Sequence, residues 1–347
     1  MLTLPSASRF LLPLVLLLPL PARAGISADV LKKAINDYAP ILYLQKNEKY
    51  LPTCAESYFK VTEKAKYRDI GQTDNVMHEG LRLKKPDDAA SKRGDLDHAV
   101  TYVNAKVGKD YTEIQYWFLY AYNGPGTVYW KIWAGIKLGG GDSTMKNAGQ
   151  HEGDWEHIMV RVDNTTGKML EKQGLYCAAH DYGSYYDRNQ ALRLEPKQRL
   201  KRVIVYASLN GHATFLTADR HYNGENKKGP LEIRLLNDTT DPGPRADFRM
   251  DPKDKNHHQG WQLIGVHFDP ELEKQLRDGG WAPPAWLGIK GRWGRVNTSK
   301  LPDEDVPGWG DMVKMFYEKI GAYDEMTRES GPIPPYLKSS WDKMGED

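Results

Sequence analysis

The chain has 347 residues, with 48 Lys and Arg against 46 Asp and Glu and a formal net charge of +2. Cleaving residues 1–24 as a leader removes Arg9, Arg23 and no acid, so the remainder is formally neutral, which argues against the basic footprint that nucleic acid rewards. No later run supplies the roughly 20 apolar residues of a bilayer-crossing helix, so no transmembrane segment is expected after cleavage.

Residues 1–24 read as a secretory signal. Arg9 gives the positive start, residues 10–20 the apolar run, and Ala22-Arg23-Ala24 the small-x-small cleavage site. Residues 25–347 show no repeat, coiled coil or linker and read as a single domain. The expected location is secreted, with the vacuolar or secretory-pathway lumen as the alternative. In such an oxidising compartment Cys54 and Cys177 read as one disulfide, worth about 4–5 kcal/mol for so long a loop. Asn164, Asn237 and Asn297 open glycosylation sequons.

In chain order, residues 27–38 form a helix candidate with Ser27 as N-cap and Pro40 ending it. Residues 40–44 are strand-like, and 60–97 are polar and read as irregular surface structure. Residues 98–107 and 111–121 flank Gly108-Lys109-Asp110, a hairpin signal. Residues 123–150 hold seven glycines, and the Gly139-Gly140-Gly141 triplet reads as a flexible connection because it lacks a phosphate-loop lysine. Strand runs follow at 156–162, 169–179, 202–208, 231–236 and 261–268. Tyr182, Tyr185 and Tyr186 fall in a Gly/Ser-containing loop. Helix is expected at 270–277 and within 303–323. Strands outnumber helices, so the expected class is mainly β: an antiparallel β-sandwich with peripheral short helices and long loops.

The stretch 149–162, Gly-Gln-His-Glu-Gly-Asp-Trp-Glu-His-Ile-Met-Val-Arg-Val, organises the rest. Strand alternation puts Asp154 and Glu156 on one face and Trp155 and His157 on the other, with His151 just before them. One imidazole and two carboxylates suit a hard or borderline divalent cation. Calcium or magnesium is favoured over zinc, which prefers a closed tetrahedron of nitrogen and sulfur. The competing reading is a hydrogen-bonded structural cluster with no metal. His212, after Gly211 at the end of a strong strand, is a candidate ligand, supporting donor or general base, and Glu152 is a second candidate proton carrier. Asp142 stands near as a loop acid, and His157 shares a packed face with Trp155. No nucleophile elbow, zincin helix or phosphate loop is present.

Several segments resemble the vacuolar protein sorting-associated protein 62-related family: Tyr-Ala-Pro-Ile-Leu-Tyr-Leu from Tyr38, Glu-Lys-Tyr-Leu-Pro from Glu48, Gln-Tyr-Trp-Phe-Leu-Tyr-Ala-Tyr-Asn-Gly from Gln115, the central Gly-Asp-Trp-Glu-His, and Val-Tyr-Ala-Ser-Leu-Asn-Gly-His-Ala from Val205. The centre is also similar to the Gly-His-Arg-His-Asp-Trp-Glu heptapeptide of necrosis- and ethylene-inducing-peptide-like proteins. That resemblance implies a secreted β-sandwich cytolysin that binds sphingolipid head groups and holds a divalent metal, with ligands at His151, Asp154 and Glu156. The chain departs from the heptapeptide at Gln150, Glu152 and Gly153. The implied function is a secreted metal-binding effector recognising a cell-surface glycan or lipid head group. A divalent-metal-dependent hydrolase and a lumenal structural or sorting-related glycoprotein are the alternatives.

Overall fold

The structure, a computed structural model, describes residues 25–66, 79–133, 136–144, 149–179, 182–196, 199–228, 231–251, 258–294, 331–338, 341 and 344. The leader, Asn297 and the helix expected within 303–323 lie outside the described residues.

The chain opens with α1 (Ala28–Tyr38), β1 (Ile41–Gln45), β2 (Pro52–Thr53), α2 (Ala55–Val61), β3 (Thr62–Lys66), β4 (Glu79–Leu83) and α3 (Ala89–Lys92). The central strands are β5 (Val100–Val107), β6 (Tyr111–Asn123), β7 (Thr127–Trp133), β8 (Lys137–Thr144) and β9 (His151–Asp163). Next come β10 (Leu175–Ala179), β11 (Tyr182–Tyr186), α4 (Arg188–Ala191), β12 (Leu192–Glu195) and β13 (Leu200–Ala207). The last elements are β14 (Thr214–Phe215), β15 (Arg220–Lys228), β16 (Leu231–Thr239), β17 (Pro242–Asp247), β18 (Gly260–His267) and α5 (Pro270–Asp278).

The chain is mainly β. A seven-stranded sheet runs β11-β10-β9-β6-β5-β18, with β2 added to β6. A five-stranded sheet runs β12-β13-β1-β17, with β14 added to β13. The main core lies between them: Phe118, Tyr120 and Val160 from the first sheet meet Leu42, Val203 and Val205 from the second. Two parallel pairings, β1 with β13 and β5 with β18, interrupt the expected antiparallel pattern.

β6 explains the near-continuous apolar run in the sequence. Tyr116, Phe118 and Tyr120 enter the main core, while Trp117, Leu119 and Ala121 enter a second cluster on the outer face. A strand covered on both sides gains nothing from polar alternation. The ends of that outer face are polar but buried. Glu113 accepts from Lys106 at 2.9 Å and from Arg161 at 3.0 Å, and all three side chains lie at or near zero exposure. At the N-terminus of α1, the Ser27 hydroxyl accepts from Val30 N–H, and Leu31, Ala34 and Ile35 are buried at helical spacing.

Four expectations change. The glycine triplet is part of β8, paired with β7, because strand pairing there needs only backbone. Residues 60–97 contain the paired strands β3 and β4 and the short α3. The Tyr182 loop is strand β11, hydrogen-bonded to β10. The Cys54–Cys177 disulfide is not formed: both thiols are free and buried. Cys54 caps α2, where its sulfur accepts from Ser57 N–H, next to Ala55 whose N–H meets the Tyr102 hydroxyl of the outer cluster. Cys177 lies in the main core, so the sheet separates the two sulfurs. Burial pushes the Cys177 thiol up to about 12.

Asn164 is also buried. Its amide donates to the Gly108 carbonyl at 2.8 Å and accepts from the Thr112 hydroxyl at 2.7 Å, locking the Gly108 turn against the end of β9. Asn237 falls within β16.

Candidate functional site

β9 begins at His151, earlier than its apolar run suggests, and one glycine sets its geometry. Gly153 has φ +66°, and a Cβ there would lie 1.9 Å from the Trp293 carbonyl oxygen. Only glycine fits that left-handed, backbone-crowded position. After it the strand alternates as expected. Trp155 joins the outer cluster and His157 stacks on Trp117 with ring centroids 4.0 Å apart. Asp154 faces the opposite way, where it meets His212. Before Gly153 the alternation is broken. His151 falls within the electrostatic reach of Asp154, and its Nδ1 donates to the Gly153 carbonyl at 2.6 Å. Glu152 turns away, and its carboxylate accepts from Leu83 N–H at 2.9 Å. The structure therefore does not bring Glu152 to the other candidate residues.

His212 is delivered by a tight loop between β13 and β14. Its φ is +56° and that of Asn210 is +67°. Non-glycine residues held there cost about 1–3 kcal/mol each and persist only where the surroundings over-determine them. Here they do. The Asn210 N–H donates to Glu48 at 2.6 Å, its carbonyl accepts from Gly124 N–H at 2.9 Å, and its side-chain amide donates to Pro125 at 2.9 Å. His212 closes the loop by donating its N–H to the Ser208 carbonyl at 3.2 Å. The imidazole lands flat on Tyr120 of β6, with centroids 3.8 Å apart and planes 3° apart.

The imidazole lies between two carboxylates. Nδ1 is 2.9 Å from Asp154, and Nε2 is 3.7 Å from Glu48, an ion-pair distance too long for a hydrogen bond. Burial alone would favour neutral His212, but Glu48 and Asp154 outweigh it and raise its pKa to about 10. Burial likewise opposes the charges of Glu48 and Asp154, yet both are held below the usual carboxylate range. His212 is the main cause in each case, helped at Glu48 by the N–H groups of Tyr50 and Asn210. Burial holds the nearby His151 down, against the pull of Asp154. Burial, then the charges of Asp154, Glu156 and Glu48, push the Tyr120 hydroxyl well above its ordinary range.

The site thus joins Asp154 to His212, with His151 within electrostatic reach of both and Glu156 within reach of Tyr120. It adds two residues that sequence reasoning did not single out, Glu48 and Tyr120. Both lie in segments quoted for the family resemblance, but only the pairing of β1 with β13 and of β6 with β9 brings them together. Asp142 pairs with Tyr129 in a separate sheet of β7, β8, β15 and β16. The Tyr120 hydroxyl and His212 Nε2 are buried without a hydrogen-bond partner. Among the described residues, no three or more His, Cys, Asp or Glu side chains are already gathered closely enough to hold a metal ion. His212 is the group that faces both Asp154 and Glu48. Also among the described residues, no helix is long and apolar enough to cross a membrane.

Residues 26–344 match the family described as Vacuolar protein sorting-associated protein 62. Vacuolar protein sorting-associated protein 62 of Saccharomyces cerevisiae is 26% identical over 155 residues, 42% of this chain and 29% of that protein. The putative vacuolar protein sorting-associated protein TDA6 of the same yeast is 26% identical over 170 residues, 45% of this chain and 32% of that protein. Each match spans less than a third of the yeast protein. Among solved structures, the non-toxic HaNLP3 protein aligns with a TM-score of 0.32 at 16% identity, covering 64% of this chain and 74% of that one. NLPPya in complex with mannosamine aligns with a TM-score of 0.31 at 17% identity, covering 55% and 68%.

Proposed function

The chain belongs to the vacuolar protein sorting-associated protein 62 family, and from that premise we propose that it is a secreted or lumenal binding protein. It recognises the polar head group of a glycan or lipid through the Glu48–His212–Asp154 end of the sandwich. In this reading His151, Asp154 and Glu156 hold a divalent cation, calcium or magnesium, and His212 and Glu48 stand behind them. One observation carries the reading: two buried polar atoms, the Tyr120 hydroxyl and His212 Nε2, lack a hydrogen-bond partner in the middle of a group of carboxylates. Buried polar groups in proteins are almost always satisfied, so an orphaned pair marks a place where a ligand completes the set.

The donor chemistry fits a hard cation. Asp154 is held ionised by His212, and burial holds His151 toward its neutral, ligating form. A bound ion would supply a fixed positive charge to which hydroxyl or phosphate oxygens attach. The chain's own part is to hold Asp154 in place through His212 and to bury the site beneath Tyr120. A hydrolytic role for Glu152 finds no support in its hydrogen bond to Leu83 on the far side of the strand.

Elemental analysis and calcium titration of the purified chain test the cation, with Asp154→Ala and Glu156→Gln expected to lower metal content and Ser143→Ala expected to leave it unchanged. Equal stoichiometry in all four proteins removes the cation from the reading. A glycan and lipid array with and without chelator then tests the head group. Binding that ignores both Asp154→Ala and the chelator places recognition elsewhere.

A further inference from the structure

Two histidines stand side by side where the parallel pair of β5 and β18 begins. Val100 meets Gly260 at the first position of that register. His98 and His258 each precede the pair by two residues, so the contact that closes this sheet edge also brings the two imidazoles together. Their ring centroids are 5.3 Å apart and their planes 31° apart. Both residues are exposed, the His98 side chain by 59%.

The pair is held from both sides. Behind His98, the two Asp95 carboxylate oxygens lie 3.1 and 3.0 Å from Nδ1, and one of them also accepts from the His98 backbone N–H at 3.3 Å. Asp95 is anchored in turn by its own N–H, which donates to the Pro52 carbonyl at 3.3 Å. Beside His258, the Gln259 amide donates to the Leu96 carbonyl at 2.8 Å and accepts from Asp247 N–H at 2.8 Å. Gln259 therefore ties the start of β18 to the turn that carries His98. A carboxylate on Nδ1 keeps a proton there and leaves the lone pair on Nε2, the arrangement by which proteins orient a histidine toward a metal.

We propose that His98 and His258 form a two-imidazole site for a borderline divalent ion of the zinc class. Imidazole nitrogens sit about 2.0–2.1 Å from zinc, and two of them on one tetrahedral ion hold their ring centroids about 5 Å apart. The two rings already stand at that spacing. Imidazole suits zinc, copper and nickel, whereas calcium and magnesium take oxygen ligands. Asp95 acts from behind as the orienting carboxylate, and water fills the remaining positions. The site thus needs no cluster of three ligating side chains, of which there is none among the described residues. The ion clips β18 to the outer edge of β5, which β18 alone covers. This goes beyond the head-group reading and does not depend on it, since the two sites share no residue.

Calorimetric titration of the full chain with zinc in excess calcium, with the thermal midpoint followed in parallel, tests the proposal. Excess calcium fills any oxygen-rich site and leaves an imidazole site open. His98→Gln and His258→Gln are each expected to bind one zinc fewer than wild type and to lose the zinc-induced rise in thermal midpoint, with unchanged circular dichroism. Asp95→Asn is expected to keep the site and weaken it about 10- to 100-fold. His221→Gln, which removes a histidine of β15, is expected to match wild type. Failure of the chain to bind calcium or a head group leaves these outcomes intact. Equal zinc stoichiometry in wild type and both variants of the pair, or displacement of this zinc by calcium, overturns the proposal.

Discussion

Nδ1 of His212 lies 2.9 Å from the Asp154 carboxylate, with the imidazole fully buried and the carboxylate nearly so. A buried ion pair contributes little net stability compared with an apolar replacement, but removing one partner strands the other charge. The pair therefore sets the conformation of the Ser208–Ala213 loop more than it sets the stability of the sandwich.

Asp154→Ala removes the carboxylate and leaves the imidazolium with the more distant Glu48 alone. The expected loss is about 3–5 kcal/mol in urea denaturation. A loss within 1 kcal/mol, the range of an exposed pair, would show that the two charges are not coupled in the folded protein.

Stability should depend on pH in a defined window. The folded pKa of His212 is about 10, above its ordinary ~6.5, so its contribution is complete below about pH 6.5 and disappears as pH rises through about 10. Asp154 and Glu48 are shifted down, so theirs is present above about pH 4.5 and lost as pH falls. Urea midpoints should peak between about pH 4.5 and 6.5 and decline on the alkaline side. In His212→Gln that alkaline decline should flatten, and a flat wild-type profile from pH 6.5 to 10 would rule out a buried imidazolium.

Gly153→Ala places a methyl group against the Trp293 carbonyl in a left-handed conformation. The expected cost is on the order of 3 kcal/mol. Gly280→Ala is the control, because Gly280 also has a left-handed φ but no atom within 4 Å of its added Cβ. Equal thermal shifts in the two variants would mean that backbone strain, not the Trp293 contact, accounts for the cost.

The thiols provide a test that needs no mutation. Both cysteines are buried and free, so the native chain should react slowly with a thiol reagent and the unreduced denatured chain should yield two equivalents. No titratable thiol in the unreduced denatured chain would restore the disulfide.

Glu113→Gln leaves Lys106 and Arg161 facing each other across the position of the lost charge. A loss of about 3–5 kcal/mol is expected. Lys106→Met/Glu113→Leu/Arg161→Met together should recover most of it, and a triple variant weaker than the single one would contradict that account.

Much of the architecture was legible because strand and helix signals are local. Ser27 and Pro40 bracket α1, Gly108-Lys109-Asp110 joins β5 to β6, and α5 starts at Pro270 as expected. The face of β9 that carries Asp154 was legible in part, because alternation holds from Asp154 onward. It failed at Gly153, where a positive φ turned Glu152 outward and left His151 with Asp154. Glu48 and Tyr120 were not legible, because nothing local to either shows which strand it will lie beside. The disulfide failed for a similar reason: compartment argues for pairing, but only topology shows a sheet between the two sulfurs.

The two parallel pairings determine when the sandwich can close. β1 lies between β13 and β17, and the outer edge of β5 is covered only by β18. All three of those covering strands belong to the last half of the chain. As the polypeptide leaves the ribosome, β1 therefore waits with no sheet neighbour and β5 with one bare edge, each a template for mispairing. Closure over such sequence separations is slow, and both edges stay open to solvent until residue 267 has emerged.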